Sequence, residues 1–525
     1  MISKIPEQVK GVLKALEEAG FEAYIVGGCV RYLIMADPNS EGPSDWDVTT
    51  DAKPEEIQRI FPDSFYENDF GTVGVKVEKF ALNGNPEREH DVVEVTTYRI
   101  ESKYSDRRRP DAVQFAKTLA EDLSRRDFTM NALALKISNF KFQISNQITI
   151  SSDIISEKTD DLKLKNSEST QKSNYEIIDL YGGQEDIKNK IIRTVGEAGE
   201  RFDEDALRMM RAVRFHAQLG FEIEEKTLAA IKKFAGHMQH ISAERIKDEL
   251  VKIILSDNPS EGIEMLHETG LLNFVIPELE KGFGIAQNRH HIHTIYTHCV
   301  LALKYCPSKK LEVRLASLLH DIAKPQTKRG EGEFATFYNH DHVGARVARK
   351  ILQRLKFSNE IIEKVVLLVD NHMFYYNPEE VGDASVRRLI QKVGLENMKD
   401  LIDVRIADRL GSGTPKAKPY KLRHLEYMID KLSQDAVSVK MLKINGTDLM
   451  KELGFKPGPK IGAVLDVLLS DVIDDAAKNE KEFLLKRAKE LDREDLQKLR
   501  EMAKMKIEEK KEEEDEEIKK KYWVK

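Results

Sequence analysis

From Tyr24 to Asp47 the chain reads YIVGGCVRYLIMADPNSEGPSDWD. The short apolar run Tyr24-Ile25-Val26 stops at Gly27-Gly28, an apolar helical segment follows, and a polar loop then delivers Asp45 and Asp47, one residue apart. Paired glycines let main-chain N–H groups approach phosphate oxygens with no side chain in the way. On a strand, positions i and i+2 point to the same side, so Asp45 and Asp47 can share a metal site. Mg²⁺ held by one or two carboxylates plus substrate phosphates is usual in polymerase-type sites. Strand, glycine pair, helix and Asp pair together describe a cradle for a triphosphate and divalent metal. An Asp-x-Asp pair alone is common at caps and turns, so the downstream residues must decide.

At 525 residues the chain is too long for one core and should split into several domains. Its 41% apolar content suffices for globular folding, and much of the high 33% charged fraction lies towards the C-terminus. A formal charge of −7 argues against a nonspecific nucleic-acid binder, yet basic clusters recur at Arg107-Arg108-Arg109 and Arg125-Arg126. Cys29, Cys299 and Cys306 have no C-x-x-C spacing, which fits a reducing, cytoplasmic compartment. The first twenty residues, MISKIPEQVKGVLKALEEAG, read as an amphipathic helix and not as a signal peptide, because charges interrupt them throughout. No apolar run reaches the roughly 18 residues of a membrane span, so no membrane association is expected.

Residues 1 to about 137 mix helical and strand patterns, with Val73–Val77 and Asp91–Thr96 alternating like strands. The composition from Ser138 to Tyr175 turns to Ser, Asn, Gln, Lys, Asp and Glu, the signature of a disordered insertion. Helical periodicity dominates from Arg201 to about residue 477. Residues 478–525 alternate Lys and Glu around Leu484, Ala488, Leu491, Leu499 and Met502 and read as a solvated helix or helix pair ending in the charged run EEKKEEEDEEIKKK.

Four further stretches carry chemistry: SDRRRPD (105–111), LSRRDFTMNALAL (123–135), DLYGGQEDIKNKIIRTVG (179–196) and RFDEDALRMMRAVRF (201–215). Together with the opening stretch they resemble the class II tRNA nucleotidyltransferases and bacterial poly(A) polymerases, of the DNA polymerase beta superfamily. The matches are GG-x-V-R, the D-W-D pair, R-R-D-F-T-x-N-A, D-x-x-G-G and E-D-x-x-R, and similarity continues through ISAERIKDEL (241–250) and INGTDLMKELGFKPGPKIGAVL (444–465). The resemblance implies that Asp45 and Asp47 are catalytic and hold Mg²⁺, one metal on each oxygen of an in-line displacement. It places Gly28 and Arg31 on the triphosphate, Arg126 on the nucleotide, and Asp127 and Asn131 near the ribose or bracing the site. Asp205 and Arg208 would meet the Watson–Crick edge of the incoming C or A, and Arg211 and Arg214 would hold phosphates. With Asp205 these arginines recur every three residues, which read alone is a stripe on one helix. Glu94, on a strand-like run, suits either a third acidic group or an ordinary polar face residue. Ser105–Asp111 resembles a flexible loop implicated in adding the final A. Tyr32 stands where the family usually has Asp, and the loop from Tyr32 to Asp45 is longer than usual, which puts the geometry of the first helix in doubt.

A second constellation gathers histidines: HHIHTIYTH (290–298), LLHDIAKP (318–325), NHDHVGA (339–345), NHM (371–373) and ADR (407–409). An uncompensated His320-Asp321 pair inside an apolar helix would be costly to bury, and a metal supplies compensation. The order resembles the HD phosphohydrolase superfamily, which implies His298, His320, Asp321 and Asp408 as ligands of a divalent transition metal or Mg²⁺, with His340 and His372 as further ligands or phosphate contacts.

The expected fold is α+β: a small mixed-sheet nucleotidyltransferase head followed by an elongated all-α neck, HD-type body and tail. The expected domains are a head over 1–195, a helical neck over 196–256, an HD-type metal domain over 257–410, a tRNA-binding tail over 411–477 and a charged helical extension over 478–525. The expected activity is addition of C, C and A to tRNA from CTP and ATP, with tRNA recognised by shape along its acceptor and T arms. A poly(A) polymerase, an enzyme adding only part of CCA, and a phosphohydrolase with a degenerate head are the alternatives.

Overall fold

A computed structural model describes residues 2–35, 43, 45–68, 71–80, 90–101, 113–137, 175–288, 292–414, 416–433 and 442–524. The insertion expected from Ser138 lies outside these residues up to 174, and Tyr175 already opens a strand; the loop expected at Ser105–Asp111 also lies outside them. The chain forms two compact units, Met1–Pro277 and Glu278–Lys525. Among the described residues no helix is long and apolar enough to cross a membrane.

The first unit is built on a seven-stranded mixed sheet. Its strands are β1 (Ala23–Val26), β2 (Trp46–Thr50), β3 (Ser64–Asn68), β4 (Thr72–Val77) and β5 (Asp91–Thr97), joined by β8 (Leu133–Ile137) and β9 (Tyr175–Asp179) in the order β3-β4-β5-β2-β1-β8-β9. Two short strands, β6 (Arg99–Glu101) and β7 (Val113–Phe115), pair separately. Every residue of β1 is buried, as suits a central strand covered on both faces. The helix Glu7–Glu18 packs on this sheet through Val9, Val12, Leu13 and Leu16, one stripe at helical spacing. β2 runs antiparallel to β1 but parallel to β5, with Asp47 directly beside Glu94. Gly27, at φ 78°, turns β1 into the helix Gly28–Met35. That helix forms despite Tyr32, which sits half-buried within it.

Helices complete the unit, and here one expectation is corrected. Asp205 does not share a helix with the three arginines. The helix Ala198–Glu204 ends at Asp205, whose backbone is extended (φ −142°, ψ 103°), and a new helix, Leu207–Leu219, carries Arg208, Arg211 and Arg214. The Asp205 carboxylate accepts from the Leu207 N–H at 3.0 Å, so the residue caps the second helix from outside it.

In the second unit, the helices Ile295–Lys304, Leu311–Leu319, His340–Arg354, Asn359–Asn371 and Leu395–Gly411 pack on one another. A separate core holds the last helices, Gly446–Leu453, Pro459–Asp474, Lys481–Leu491 and Leu496–Tyr522. The expectation of a solvated C-terminal extension is also corrected. Leu484, Ala488, Leu491 and Leu499 are all in that core, against Leu449, Val464 and Leu468, because their helical spacing gathers them on the inner face while Lys and Glu take the outer one. The 27-residue helix Leu496–Tyr522 then runs back to the helix Tyr420–Ser433, where Asp515 pairs with Lys431 at 2.8 Å and Lys521 with Asp430 at 2.7 Å.

Leu499→Ala is expected to lower the opening free energy of these helices in native-state hydrogen exchange by about 2–5 kcal/mol. Met502→Ala, at a 39% exposed position, should stay within about 0.5 kcal/mol of the parent. Equal effects from the two changes would contradict the packing described.

Candidate active site

In the first unit the site forms where β1, β2 and the segment before β8 meet. Gly27 is fixed by an N–H bond to the Leu133 carbonyl at 3.3 Å. A Cβ there would stand 3.0 Å from Arg126 Nη1 and 3.4 Å from Asp47 Oδ2, so the missing side chain is the space beside both groups. Trp46 anchors the start of β2 in the core, which leaves Asp45 exposed and Asp47 half-buried on the opposite side. Glu94 projects from the neighbouring position of β5. The three acidic residues and the glycine gap fit a divalent cation and a phosphate chain: carboxylate oxygens, hard donors, on one side and an open cradle with a guanidinium on the other.

Around this cradle, charged groups are held by one another. Asp127 is buried, takes N–H bonds from Phe128 (2.8 Å) and Asn131 (3.0 Å), and accepts from Arg211 Nε at 2.7 Å. Burial alone would raise its pKa, but the Arg211 guanidinium overrides that and holds the carboxyl well below its usual range. Asn131 in turn accepts a hydrogen bond from Arg31. The faces of Arg31, Arg211 and Arg214 lie 4.9, 5.7 and 4.3 Å from the centroid of the Phe215 ring. Burial, with Arg214 and Arg211 nearby, brings the Arg31 pKa down to about 10 against the pull of Asp127. Three guanidiniums around one ring make a strongly electropositive pocket. Arg126 is steadied by the fully buried Asp122 at 3.4 Å.

Four groups that matter here were not singled out from the sequence: Glu204, Phe215, Arg245 and Glu249. Arg245 clasps the Asp205 carboxylate through both Nη atoms (3.2 and 2.6 Å), and Glu249 binds Arg214 at 2.9 Å with both side chains buried. Arg208 donates to Glu204 at 2.5 Å and to the Arg125 carbonyl at 2.9 Å. Asp205 and Arg208 are therefore each braced by a different partner. Arg245 and Glu249 stand four apart in ISAERIKDEL, one face of the helix Ala243–Ile254, and that spacing was the available signal.

In the second unit, His298, His320, Asp321 and Asp408 come together. His298 Nε2 lies 3.0 Å from Asp321 Oδ2 and 3.4 Å from Asp408 Oδ1, and His320 Nε2 lies 3.2 and 3.7 Å from the same two atoms. His340 and His372 approach the other oxygen, Asp321 Oδ1, at 3.3 and 3.8 Å. Asp321 Oδ1 and the Nε2 atoms of His340 and His372 are buried without a hydrogen-bond partner among the described residues, whereas Asp321 Oδ2 meets the Lys324 ammonium. Such convergence of lone pairs is costly unless a cation takes them up, so the residues fit a divalent metal. Lys324, whose ammonium reaches Asp321 Oδ2 at 2.6 Å and Gln287 at 2.7 Å, was missed although it lies within LLHDIAKP. A cavity of about 640 Å³ lies over this centre, with Lys324, Arg405 and Arg409 in its lining.

Three family descriptions match the chain: a poly A polymerase head domain over residues 23–154, an RNA- and SrmB-binding region of polymerase A over 220–283, and a tRNA nucleotidyltransferase domain 2 over 333–488. The CCA-adding enzyme of Ligilactobacillus salivarius is 32% identical over 499 residues, covering 94% of this chain and 98% of its own. That of Enterococcus faecalis is 32% identical over 508 residues, 93% and 97% of the two chains. Among solved structures, the Bacillus stearothermophilus CCA-adding enzyme in complex with CTP is similar with a TM-score of 0.54 at 26% identity, over 93% of this chain and 97% of that one.

Asp127 has a folded pKa below its unfolded one, so its ion pair stabilises at pH values above about 3.9 and is lost as the pH falls further towards the folded value. Asp127→Asn removes the charge-assisted bond to the partly exposed Arg211 and should cost about 1.5–3 kcal/mol. In urea titrations this deficit should stay constant from pH 5 to 8 and close only in stronger acid; a deficit that shrinks between pH 8 and 5 would contradict the assignment.

Proposed function

The chain belongs to the family of CCA-adding enzymes, and from that premise we propose that it completes tRNA 3′ ends, adding C, C and A from CTP and ATP without a template. The observation that carries this for the present residues is the cradle at Gly27, where Asp47, Arg126 and the Glu94 position converge beside the start of a helix. Asp45 and Asp47 hold the divalent metal, which we take to be Mg²⁺, with Glu94 as a third carboxylate. When bound, the metal favours ionisation of the attacking 3′-hydroxyl and offsets charge on the departing pyrophosphate. Gly28 gives a main-chain N–H at the helix start, and Arg31, Arg211 and Arg214 supply the positive field for the triphosphate. Arg126 lies along the nucleotide.

Base choice falls to Asp205 and Arg208. Cytosine and adenine both present an exocyclic amino donor beside a ring-nitrogen acceptor, so one carboxylate and one guanidinium satisfy either; uracil and guanine place a carbonyl where the amino group should be. A carboxylate offers about four acceptor positions. Arg245 and the Leu207 N–H take three on Asp205, and a fourth suits a single amino group. The neck and the tail over 411–477 meet the acceptor and T arms of the tRNA by shape and backbone. The three free cysteines suit a cytoplasmic setting.

A second activity is favoured by the orphaned donors at Asp321, His340 and His372: metal-dependent hydrolysis of a phosphate ester, such as the 2′,3′-cyclic or terminal phosphate of a damaged tRNA end. A divalent metal there would polarise the phosphate and activate water. Arg405, Arg409 and Lys324 bring positive charge to the same cavity.

Incubating the protein with tRNA transcripts lacking CCA and with each nucleotide alone or in pairs, then sequencing the ends, should give C-C with CTP and complete C-C-A with both. Long oligo(A) tails from ATP alone would assign a poly(A) polymerase instead. Asp45→Ala and Asp47→Ala should each cut addition by at least about 10³-fold, while phosphatase activity persists. His320→Ala should do the reverse.

A further inference from the structure

We propose that the helix Leu496–Tyr522 is a strut that docks on the helix Tyr420–Ser433 and fixes the spacing between two parts of the tRNA-binding tail. Ile518, Lys521 and Asp430 are then positioning residues for tRNA in CCA addition. The proposal rests on the reading above that the tail over 411–477 meets the tRNA.

That tail falls in two parts. The helix Tyr420–Ser433 packs on the helices Asp383–Val393 and Leu395–Gly411. The helices Gly446–Leu453 and Pro459–Asp474 belong instead to the separate core that holds Leu484, Leu491 and Leu499. A helix that only completed this core would have no reason to extend beyond Leu499. This one continues, and buried apolar side chains return at Ile518 and Val524, 7% and 9% exposed. At about 1.5 Å per residue, Ile518 stands about 28 Å along the axis from Leu499. The stretch between, KIEEKKEEE (506–514), is almost wholly Lys and Glu, strong helix formers that suit a segment anchored at both ends.

The far end is built as a joint. Lys521 pairs with Asp430 at 2.7 Å, and the Tyr522 hydroxyl donates to the same carboxylate at 3.2 Å. Asp515 pairs with Lys431 at 2.8 Å and Lys519 at 2.9 Å and accepts from the Tyr427 hydroxyl. Burial would raise the Asp515 pKa, yet these three partners bring it down to about 2. The helix closes at Trp523, whose φ is 55°, with the Val524 N–H on the Lys519 carbonyl at 3.0 Å and Arg423 on the Trp523 carbonyl at 3.2 Å. A residue other than glycine keeps a positive φ where surrounding bonds hold it there, so this end is docked and not frayed. Exposed ion pairs contribute little stability by themselves. Here they set the register, and burial of Ile518 and Val524 supplies the adhesion. Two protein surfaces that meet one rigid RNA reinforce each other only when their spacing matches it.

The test uses the full chain and tRNA transcripts lacking CCA. Ile518→Asp should raise KM for that tRNA by about tenfold, as when a second contact is no longer held in register, with kcat and the KM for CTP unchanged. Hydrogen exchange should quicken over residues 515–522 and stay as in the parent over 481–499. Asp430→Lys and Lys521→Asp should each raise the KM for tRNA, and the two together should restore it. Faster exchange over 515–522 with an unchanged KM for tRNA would overturn the strut, and so would a paired variant that is not restored. A parent protein that leaves the T arm open to ribonuclease would overturn the tail reading beneath it.

Discussion

The bond between the buried Asp127 carboxylate and Arg211 is the contact on which the first unit depends. Asp127 belongs to the segment leading into the sheet, and Arg211 to the helix Leu207–Leu219, so this ion pair joins the two elements, alongside the Arg208 bond to the Arg125 carbonyl and the Phe128–Phe215 ring contact. Everything beyond it is chained to that pair. Asn131 holds Asp127 and is held by Arg31, and Arg31 shares the Phe215 ring with Arg211 and Arg214. A buried carboxylate among guanidiniums is tolerable only because its charge is matched, and each guanidinium is tolerable for the same reason. The cluster still carries more positive than negative groups. A triphosphate is the kind of ligand that would balance the excess.

The legibility of this arrangement in the sequence was uneven, for physical reasons. Gly27-Gly28 could be read because a sharp change from strand to helix demands a residue at positive φ. The Asp45 and Asp47 pair could be read because the two-residue period of a strand is fixed by the backbone. The position of Glu94 could not, since pairing β5 beside β2 is a long-range choice that no local pattern encodes. The three-residue recurrence from Asp205 to Arg214 suggested one helix, yet the chain breaks at Asp205 because its carboxylate is more useful as a cap on Leu207 and a partner of Arg245. Likewise, the Lys- and Glu-rich end read as solvated because its charges outnumber its apolar residues, although a helix needs only one apolar stripe to join a core. His298, His320, Asp321 and Asp408 were legible as a set only by resemblance, being spread from residue 298 to residue 408.

The two units solve the problem of buried charge in different ways. In the first, Asp122, Asp127, Asp205 and Glu249 each already have a guanidinium against them, so this part of the pocket keeps its shape without a ligand. In the second, lone pairs of His340, His372 and Asp321 face one another, with Lys324 on Asp321 and Arg405 on Asp408 as the cations paired with the cluster among the described residues. The part of the first unit around Asp127 is preorganised by the protein's own charges, and the second unit presents donors that fit a metal.

On the proposed reading, selection and chemistry lie on separate elements. The carboxylates Asp45, Asp47 and Glu94 sit on or beside the sheet strands, while Arg31, Arg211 and Arg214, proposed for the triphosphate, are carried by two helices. Asp205 lies between two helices and is clasped from a third by Arg245, and Arg208 stands in the first turn of the second, so on that reading their acceptor and donor directions are set before a nucleotide arrives. A carboxylate and a guanidinium held in that way cannot follow a growing RNA end as a template would; they present the same two hydrogen-bonding directions at each addition. Cytosine and adenine share those directions and differ in size. On the proposed assignment of Asp205 and Arg208, the switch from one to the other comes from how much room the primer leaves in front of them, not from a change in the residues that read the base.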